Sequence, residues 1–177
     1  MVSRLLNVMG MPVYFSDVEA RNLMLADPVI HRELTVLIGP EAYIAGQLNK
    51  PLIAAYLFSS TAHAAQVNAI VHPRVREDFR RWAKRQAAAT MVGMESAILI
   101  EAGFRNEVDR LVVVTAPMET RILRTMRRDN APRESVEQRI RTQITDEQRI
   151  AQADFVIVND GIRPLIPQVV QVLHSLG

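Results

Sequence analysis

Four short apolar runs, each followed by helical segments, constrain the fold of this chain more than any other feature of its sequence. Short runs rich in Val and Ile are typical of strands buried on both faces of a parallel sheet. Their alternation with helices predicts an α/β fold in three layers, with helices on both faces of a parallel sheet. The predicted strands are Pro12–Tyr14, Met91–Met94, Leu111–Thr115 and Phe155–Asn159.

Capping residues mark several helix boundaries. Asp27 followed by Pro28 predicts a helix start, and Gly39 predicts the end of that helix. Thr145 with Gln148 three residues later has the spacing of a capping box. Proline in a helix interior removes a backbone hydrogen bond. We therefore expect one helix to begin at Ser60 and end before Pro73, and a second, basic helix to run from Pro73 to Ala88.

Composition excludes several classes of protein. A chain of 177 residues predicts one domain, and no apolar run approaches the roughly 20 residues of a membrane span. There is no cysteine, so neither disulfides nor thiolate metal sites are expected. A net charge of +2 does not favour nucleic acid as a partner. No signal-peptide pattern begins the chain, and we expect a cytoplasmic location.

Asp17 and Arg21 follow the first predicted strand. Ligands of open parallel sheets bind beyond the carboxyl ends of the strands, so Asp17 is placed at the edge where a ligand is expected. Residues four apart share one face of a helix, which brings Arg21 beside it. The alternative is structural: an acidic residue in the first turn of a helix, forming a surface ion pair.

Two further segments carry candidate polar residues. Glu95 and Glu101 bound the exit from the second predicted strand, where a carboxylate could orient a hydroxyl or hold a metal-bound water. The alternative is an ordinary polar loop. His72 stands before Pro73 at the predicted helix break. The four histidines show no metal-ligand spacing with acidic partners, so no metal cage is expected.

Arginine is concentrated in one region. Seven arginines lie between Arg121 and Arg141, and planar guanidinium groups suit bidentate phosphate recognition. Arg121, Arg124 and Arg128 have helical spacing, which predicts an arginine-rich lid over a polyphosphate. A solvated helical face and a DNA-reading helix-turn-helix are the alternatives, although the latter does not normally lie between two strands of a parallel sheet.

Six segments, in order along the chain, resemble those of bacterial dephospho-CoA kinases, which are P-loop kinases. They are "GMPVYFSDVEAR", "GQLNKPLIAAYLF", "NAIVHPRVRE", "ESAILIEAGF", "VDRLVVVTAPMETRILRTMRRD" and "QADFVIVNDG". The resemblance implies transfer of the γ-phosphoryl group of ATP to the 3′-hydroxyl of dephospho-CoA, with Mg²⁺. It also implies a single kinase-like domain with a helical CoA-side subdomain over about 27–88 and a lid over about 117–150.

The resemblance further implies a role for individual residues. Asp17 matches the catalytic aspartate that accepts or orients the hydroxyl proton. The substrate-side positions are matched by Arg21, His72 and Glu101. The positions that contact ATP are matched by Arg124, Arg128 and Asn159.

This sequence also departs from the pattern of the family. Ser16 precedes Asp17 where an Asp-x-Asp pair is usual, and Ala45 replaces a frequent aspartate. None of the seven glycines belongs to a Gly-x-x-x-x-Gly-Lys-Ser/Thr motif, and the helix that normally follows this motif begins near Ser3. We therefore expect a first central strand and the phosphate-binding loop to be missing, with unpaired backbone groups, low stability and little kinase activity.

Three functions remain open at this point. The first is a dephospho-CoA kinase in a form without its P-loop. The second is a non-catalytic relative that binds CoA-like ligands or a partner protein. The third is another small-molecule P-loop kinase, acting on a nucleoside or a shikimate-like substrate.

Overall fold

The computed structural model describes all residues from Met1 to Gly177. Nine α-helices and six strands alternate along the chain, with short 3₁₀ turns at Pro40–Ala42 and Phe104–Glu107. The helices are α1 (Val2–Val8), α2 (Ser16–Ala26), α3 (Pro28–Ile38), α4 (Lys50–Ser59), α5 (Thr61–Arg85), α6 (Met118–Asp129), α7 (Arg133–Arg141), α8 (Asp146–Gln152) and α9 (Leu165–Leu176). The strands are β1 (Val13–Phe15), β2 (Tyr43–Ile44), β3 (Gln47–Leu48), β4 (Gly93–Glu95), β5 (Val112–Thr115) and β6 (Phe155–Val158).

The α/β class and all four predicted strands are confirmed, but the strands do not form one sheet. Strand β1 pairs with β4 and β5 pairs with β6, in two separate two-stranded parallel sheets. The third sheet is a small antiparallel hairpin of β2 and β3. The four predicted strands thus form two parallel pairs and not one continuous sheet. Residues 1–177 contain no further parallel strand.

Contacts divide the chain into two compact units. The central unit comprises Met11–Ala97, and the split unit comprises Met1–Gly10 together with Ile98–Gly177. In the central unit, α5 packs against α2, α3 and α4. Its buried side chains recur every four residues, at Val67, Val71, Val75 and Phe79. This spacing places them along one stripe of the helix, which faces the core of the unit.

The core of the split unit lies between α1, α9 and the parallel pair β5–β6. Val2, Ile157, Val169 and Val172 are buried there, and leucines of α1 and α9 pack around them. In this way α1, the first helix of the chain, is anchored by residues more than 150 positions later. The predicted helix beginning near Ser3 is confirmed, and its stability comes from this packing.

The predicted helix break at Pro73 is wrong. Helix α5 continues through Pro73 from Thr61 to Arg85. Proline removes one main-chain donor and crowds the carbonyl of Ala69, four residues earlier. The buried stripe runs across this point without interruption, from Val71 to Val75, and tertiary packing holds both halves in one helix.

Local capping signals, in contrast, were reliable. Asp27 caps α3 by accepting hydrogen bonds from the backbone N–H of Val29 and Ile30, and Gly39 ends that helix with φ of 119°. Thr145 and Gln148 form the predicted capping box of α8. None of the helices combines the length and the apolar character that a membrane crossing requires.

Candidate active site

Asp17 lies just beyond the carboxyl end of β1, as predicted. The register of the parallel pair places Phe15 beside Glu95, so Asp17 and Ala97 are each two residues past the last pair. The Asp17 carboxylate accepts a hydrogen bond from the backbone N–H of Ala97. This contact fixes a carboxylate at the ligand-binding edge of the sheet.

The surroundings of Asp17 favour the protonated form of its carboxyl group. Desolvation raises the pKa of Asp17, and the charge of Arg21 and the hydrogen bond from Ala97 offset the rise only in part. Asp17 is nevertheless an exposed residue. A raised pKa in an accessible carboxylate is typical of a general base, because it makes the group a stronger proton acceptor.

His72 occupies the middle of α5 and is half-buried. Burial of its ring lowers the pKa of His72, and the positive charge of Arg76 lowers it further. The imidazole is therefore neutral at pH 7 and can act as a hydrogen-bond donor or acceptor rather than as a cation. Because α5 is continuous, His72 belongs to a rigid helix and not to the loop that the sequence predicted.

A buried ion pair stabilises the same unit. Nε and Nη2 of Arg74 both contact Oδ2 of Asp27, at 2.8 and 2.7 Å. The Asp27 side chain is 6% exposed, and its other oxygen caps α3. Sequence reasoning identified Asp27 as a cap and missed Arg74 as its partner, because 47 residues separate them.

The arginines of α6 differ in what they contact. Arg121 contacts Asp146 of α8 through two hydrogen bonds, at 3.1 and 2.5 Å. It therefore holds α6 to α8. A groove of about 320 Å³ runs along α6, and its lining residues are Thr120, Leu123, Arg124, Arg127 and Arg128.

Arg124 and Asn159 are in direct contact. Nη1 of Arg124 donates to the backbone carbonyl oxygen of Asn159 at 2.7 Å. The next residues form a tight turn, in which Asp160 accepts hydrogen bonds from the N–H groups of Ile162 and Arg163. The turn after β6 is thus connected to the arginine groove.

Arg128 also lines the groove, but its guanidinium is engaged by an acidic neighbour. Its Nε and Nη2 donate to the two carboxylate oxygens of Asp129, at 2.7 and 3.0 Å. Arg139 of α7 contacts the same carboxylate at 3.1 Å. Hydrogen bonds from Arg128 and Arg139 lower the pKa of Asp129 to about 2, so this bridge between α6 and α7 persists at neutral pH.

Glu101 lies in the split unit, within the turns that follow β4. Its Oε1 accepts a hydrogen bond from the backbone N–H of Ile144 at 3.2 Å, in the loop before α8. This contact joins Glu101 to the segment between α7 and α8. The contact by itself is that of a loop anchor.

No group of three or more His, Cys, Asp or Glu residues in the 177 residues could hold a metal ion. The carboxylate of Asp17 belongs to no acidic cluster. The donor set of this chain therefore does not fit a protein-built metal cage.

Parallel strands followed by helices, with a carboxylate at the carboxyl end of β1, are typical of α/β proteins that bind ligands at that edge of the sheet. Comparison with known proteins identifies the family. The family model for dephospho-CoA kinase (CoaE) matches residues 1–164. The chain therefore belongs to the dephospho-CoA kinase family.

Individual relatives agree with this assignment. A dephospho-CoA kinase of Bacteroides fragilis is 53% identical over 175 residues, which span 99% of this chain and 85% of the relative. One from Porphyromonas gingivalis is 38% identical, over 99% and 87% of the two chains. Among solved structures, TT1252 from Thermus thermophilus superposes with a TM-score of 0.82 at 29% identity, covering 99% of this chain and 87% of that one. The dephospho-CoA kinase of Campylobacter jejuni shares the fold, with a TM-score of 0.67 at 17% identity and coverage of 99% and 89%.

Proposed function

We propose that this protein transfers the γ-phosphoryl group of ATP to the 3′-hydroxyl of dephospho-CoA. Membership of the dephospho-CoA kinase family supports the reaction. The observation that carries the proposal is Asp17, an accessible carboxylate of raised pKa held at the carboxyl end of β1 by the N–H of Ala97. A reaction of this kind depends on positioning and on charge neutralisation, together with a base for the hydroxyl proton.

In the proposed reaction, the 3′-oxygen attacks the γ-phosphorus and the bond from this phosphorus to the bridging oxygen of the β-phosphate breaks. ADP leaves, and the hydroxyl proton passes to the carboxylate of Asp17. Arg21, His72 and Glu101 are the proposed substrate-side residues, and His72 lies within the proposed CoA-side subdomain over about 27–88. His72 contributes hydrogen bonding because its imidazole is neutral.

Arg124, Arg128 and Asn159 are the proposed residues of the nucleotide side, in a lid over about 117–150 and the turn after β6. Arg124 supports this role through its hydrogen bond to the main chain of Asn159, which joins the lid helix to that turn. Mg²⁺ enters the proposal only as the ion that accompanies the ATP phosphates, and no step is assigned to it. We also expect the protein to act in the cytoplasm, with dephospho-CoA and ATP as its partners.

We further propose that the polypeptide Met1–Gly177 has little turnover by itself. A P-loop holds the β- and γ-phosphates with preorganised backbone N–H groups and a lysine, and its Ser/Thr holds magnesium. No segment of residues 1–177 has that motif. Losing even one preorganised donor from a transition-state site costs about 10²–10³ in rate, and long arginine side chains must be ordered at each binding event.

A coupled ADP-release assay tests both statements. Met1–Gly177 is compared with a form that carries a strand and a Walker A segment ahead of Met1, each supplied with ATP, Mg²⁺ and dephospho-CoA. We expect turnover that depends on dephospho-CoA in the extended form alone. Equal turnover in both forms would refute the need for the loop. Binding of dephospho-CoA without turnover in either form would instead support a non-catalytic binding relative.

A further inference from the structure

The groove on α6 presents three arginines that differ in what they contact. Its lining residues have the spacing i, i+3, i+4, i+7 and i+8, from Thr120 to Arg128, and so form one stripe along the helix. The opposite side of α6 is buried through Ile122, which is 2% exposed. The groove therefore has a fixed base, because α6 is held in place by its own core contact.

Two of the three guanidinium groups are already committed within the protein. Arg124 donates to the carbonyl oxygen of Asn159. Arg128 donates two hydrogen bonds to the carboxylate of Asp129, and Arg139 donates a third to the same carboxylate. An anion that binds Arg128 must compete with this carboxylate, which is ionised at neutral pH because the pKa of Asp129 is about 2.

Arg127 is the exception in the groove. Its side chain is exposed and has no hydrogen bond or ion pair within residues 1–177. A guanidinium has five N–H donors in a planar fork that matches two phosphate oxygens at once. All five donors of Arg127 are therefore available to a ligand, at no cost in broken protein contacts.

We propose that Arg127 is a further phosphate-binding residue of the nucleotide site, and that it makes the first charge-assisted contact with the polyphosphate chain. The nature of the ligand rests on the proposed function. Thr120 adds a hydroxyl to the same stripe, and Leu123 adds an apolar surface that is 54% exposed. In this arrangement Arg124 positions the turn after β6 and Arg127 contacts the ligand.

Binding of inorganic tripolyphosphate to purified Met1–Gly177, followed by isothermal titration calorimetry, tests the proposal without requiring catalysis. Arg127→Gln removes the charge and the fork, and Arg127→Lys restores the charge alone. Arg110→Gln is the matched control, because Arg110 is also an exposed arginine. It lies just before the start of β5, whereas α6 follows the other end of that strand. It changes net charge equally and lies outside the groove.

We expect Arg127→Gln to weaken tripolyphosphate binding about tenfold or more, the loss typical of one charge-assisted contact. We expect Arg127→Lys to recover part of this loss and Arg110→Gln to stay within about twofold of the unaltered protein. Equal effects of the two glutamine variants, or no binding by the unaltered protein at millimolar concentration, would overturn the proposal. The two proposals can fail separately. If the form with a Walker A segment shows no kinase activity but Arg127→Gln still weakens tripolyphosphate binding, the proposed function is refuted and the phosphate site is supported.

Discussion

Arg74 of α5 holds the carboxylate that caps α3: its Nε and Nη2 lie 2.8 and 2.7 Å from Oδ2 of Asp27. The other oxygen of Asp27 accepts hydrogen bonds from the N–H groups of Val29 and Ile30. The buried side chain of Asp27 thus joins α3 to α5 and accepts hydrogen bonds from two free N–H groups in the first turn of α3. The free energy of unfolding should depend strongly on it.

We predict that Asp27→Ala lowers the free energy of unfolding by about 2–4 kcal/mol, because it removes a helix cap and leaves Arg74 without its buried partner. Urea unfolding at pH 7 measures the change. Glu77→Gln is the control, since Glu77 also contacts Arg74 but is half-exposed, and its loss should cost under about 1 kcal/mol. Equal losses from the two variants would contradict the structural role given to Asp27.

The same carboxylate should make stability fall in acid. Burial alone would raise the pKa of Asp27, but the hydrogen bonds from Arg74, Ile30 and Val29 outweigh it and lower the pKa below its ordinary value. A carboxyl of lowered pKa contributes stability that is present above about pH 4 and disappears as pH falls through the folded pKa. The difference in free energy of unfolding between Asp27→Ala and the unaltered protein should therefore become small at low pH. A difference that stays constant across pH would argue against the ion pair.

Asp17 is expected to favour activity at the expense of stability. Its pKa is raised, so the folded state binds a proton more tightly than the unfolded state. Stability associated with this group is present below about pH 4 and is lost as pH rises through the folded pKa. Asp17→Asn should therefore unfold at a higher temperature than the unaltered protein at pH 7, and the two should converge in acid.

The same variant should lose activity in a form that carries a Walker A segment. Removing a general base typically lowers kcat by about 10²–10⁴. Glu19→Gln is the matched control, because Glu19 is a second acidic residue in the first turn of α2 and contacts Asn22. Normal turnover in Asp17→Asn, or an equal loss in Glu19→Gln, would show that Asp17 is not the proton acceptor.

Two substitutions at Glu101 separate anchoring of the lid loop from substrate binding. Glu101→Gln keeps an oxygen that can accept from the N–H of Ile144, whereas Glu101→Ala removes it. If Glu101 binds substrate through its charge, the glutamine variant keeps its melting temperature and shows a higher KM for dephospho-CoA. An unchanged KM in Glu101→Gln, with a lower melting temperature only in Glu101→Ala, would reduce its role to that of a loop anchor.

Pro73 should be a site where stability can be gained. Alanine restores a main-chain donor opposite the carbonyl of Ala69 and removes the crowding of the proline ring, so Pro73→Ala should add about 1–3 kcal/mol. Pro28→Ala is the control. Pro28 is the first residue of α3, where a backbone N–H would have no partner within the helix, so proline costs no hydrogen bond there. Thermal unfolding that shows the same small change in both variants would mean that α5 already accommodates Pro73 without strain.

Features determined by neighbouring residues were predictable from the sequence. The cap at Asp27, the end of α3 at Gly39 and the capping box at Thr145 each depend on hydrogen bonds within four residues, so their patterns are visible in the chain. The four parallel strands were also predictable, because Val- and Ile-rich runs have few other stable arrangements. Asp17 could be placed at the edge of the sheet for the same reason.

Features that depend on distant residues were decided by tertiary structure. A local rule ends a helix at Pro73, but packing of the stripe from Val67 to Phe79 keeps α5 continuous. The spacing of the arginines on α6 does not reveal that Arg121 contacts Asp146, nor that the carboxylate of Asp129 contacts both Arg128 and Arg139. The sequence by itself thus determined the order of elements and the residue types of the site. Only the tertiary structure decided which strands pair, which charges are neutralised and which remain available to a ligand, because those outcomes depend on groups that come together only when the chain has folded.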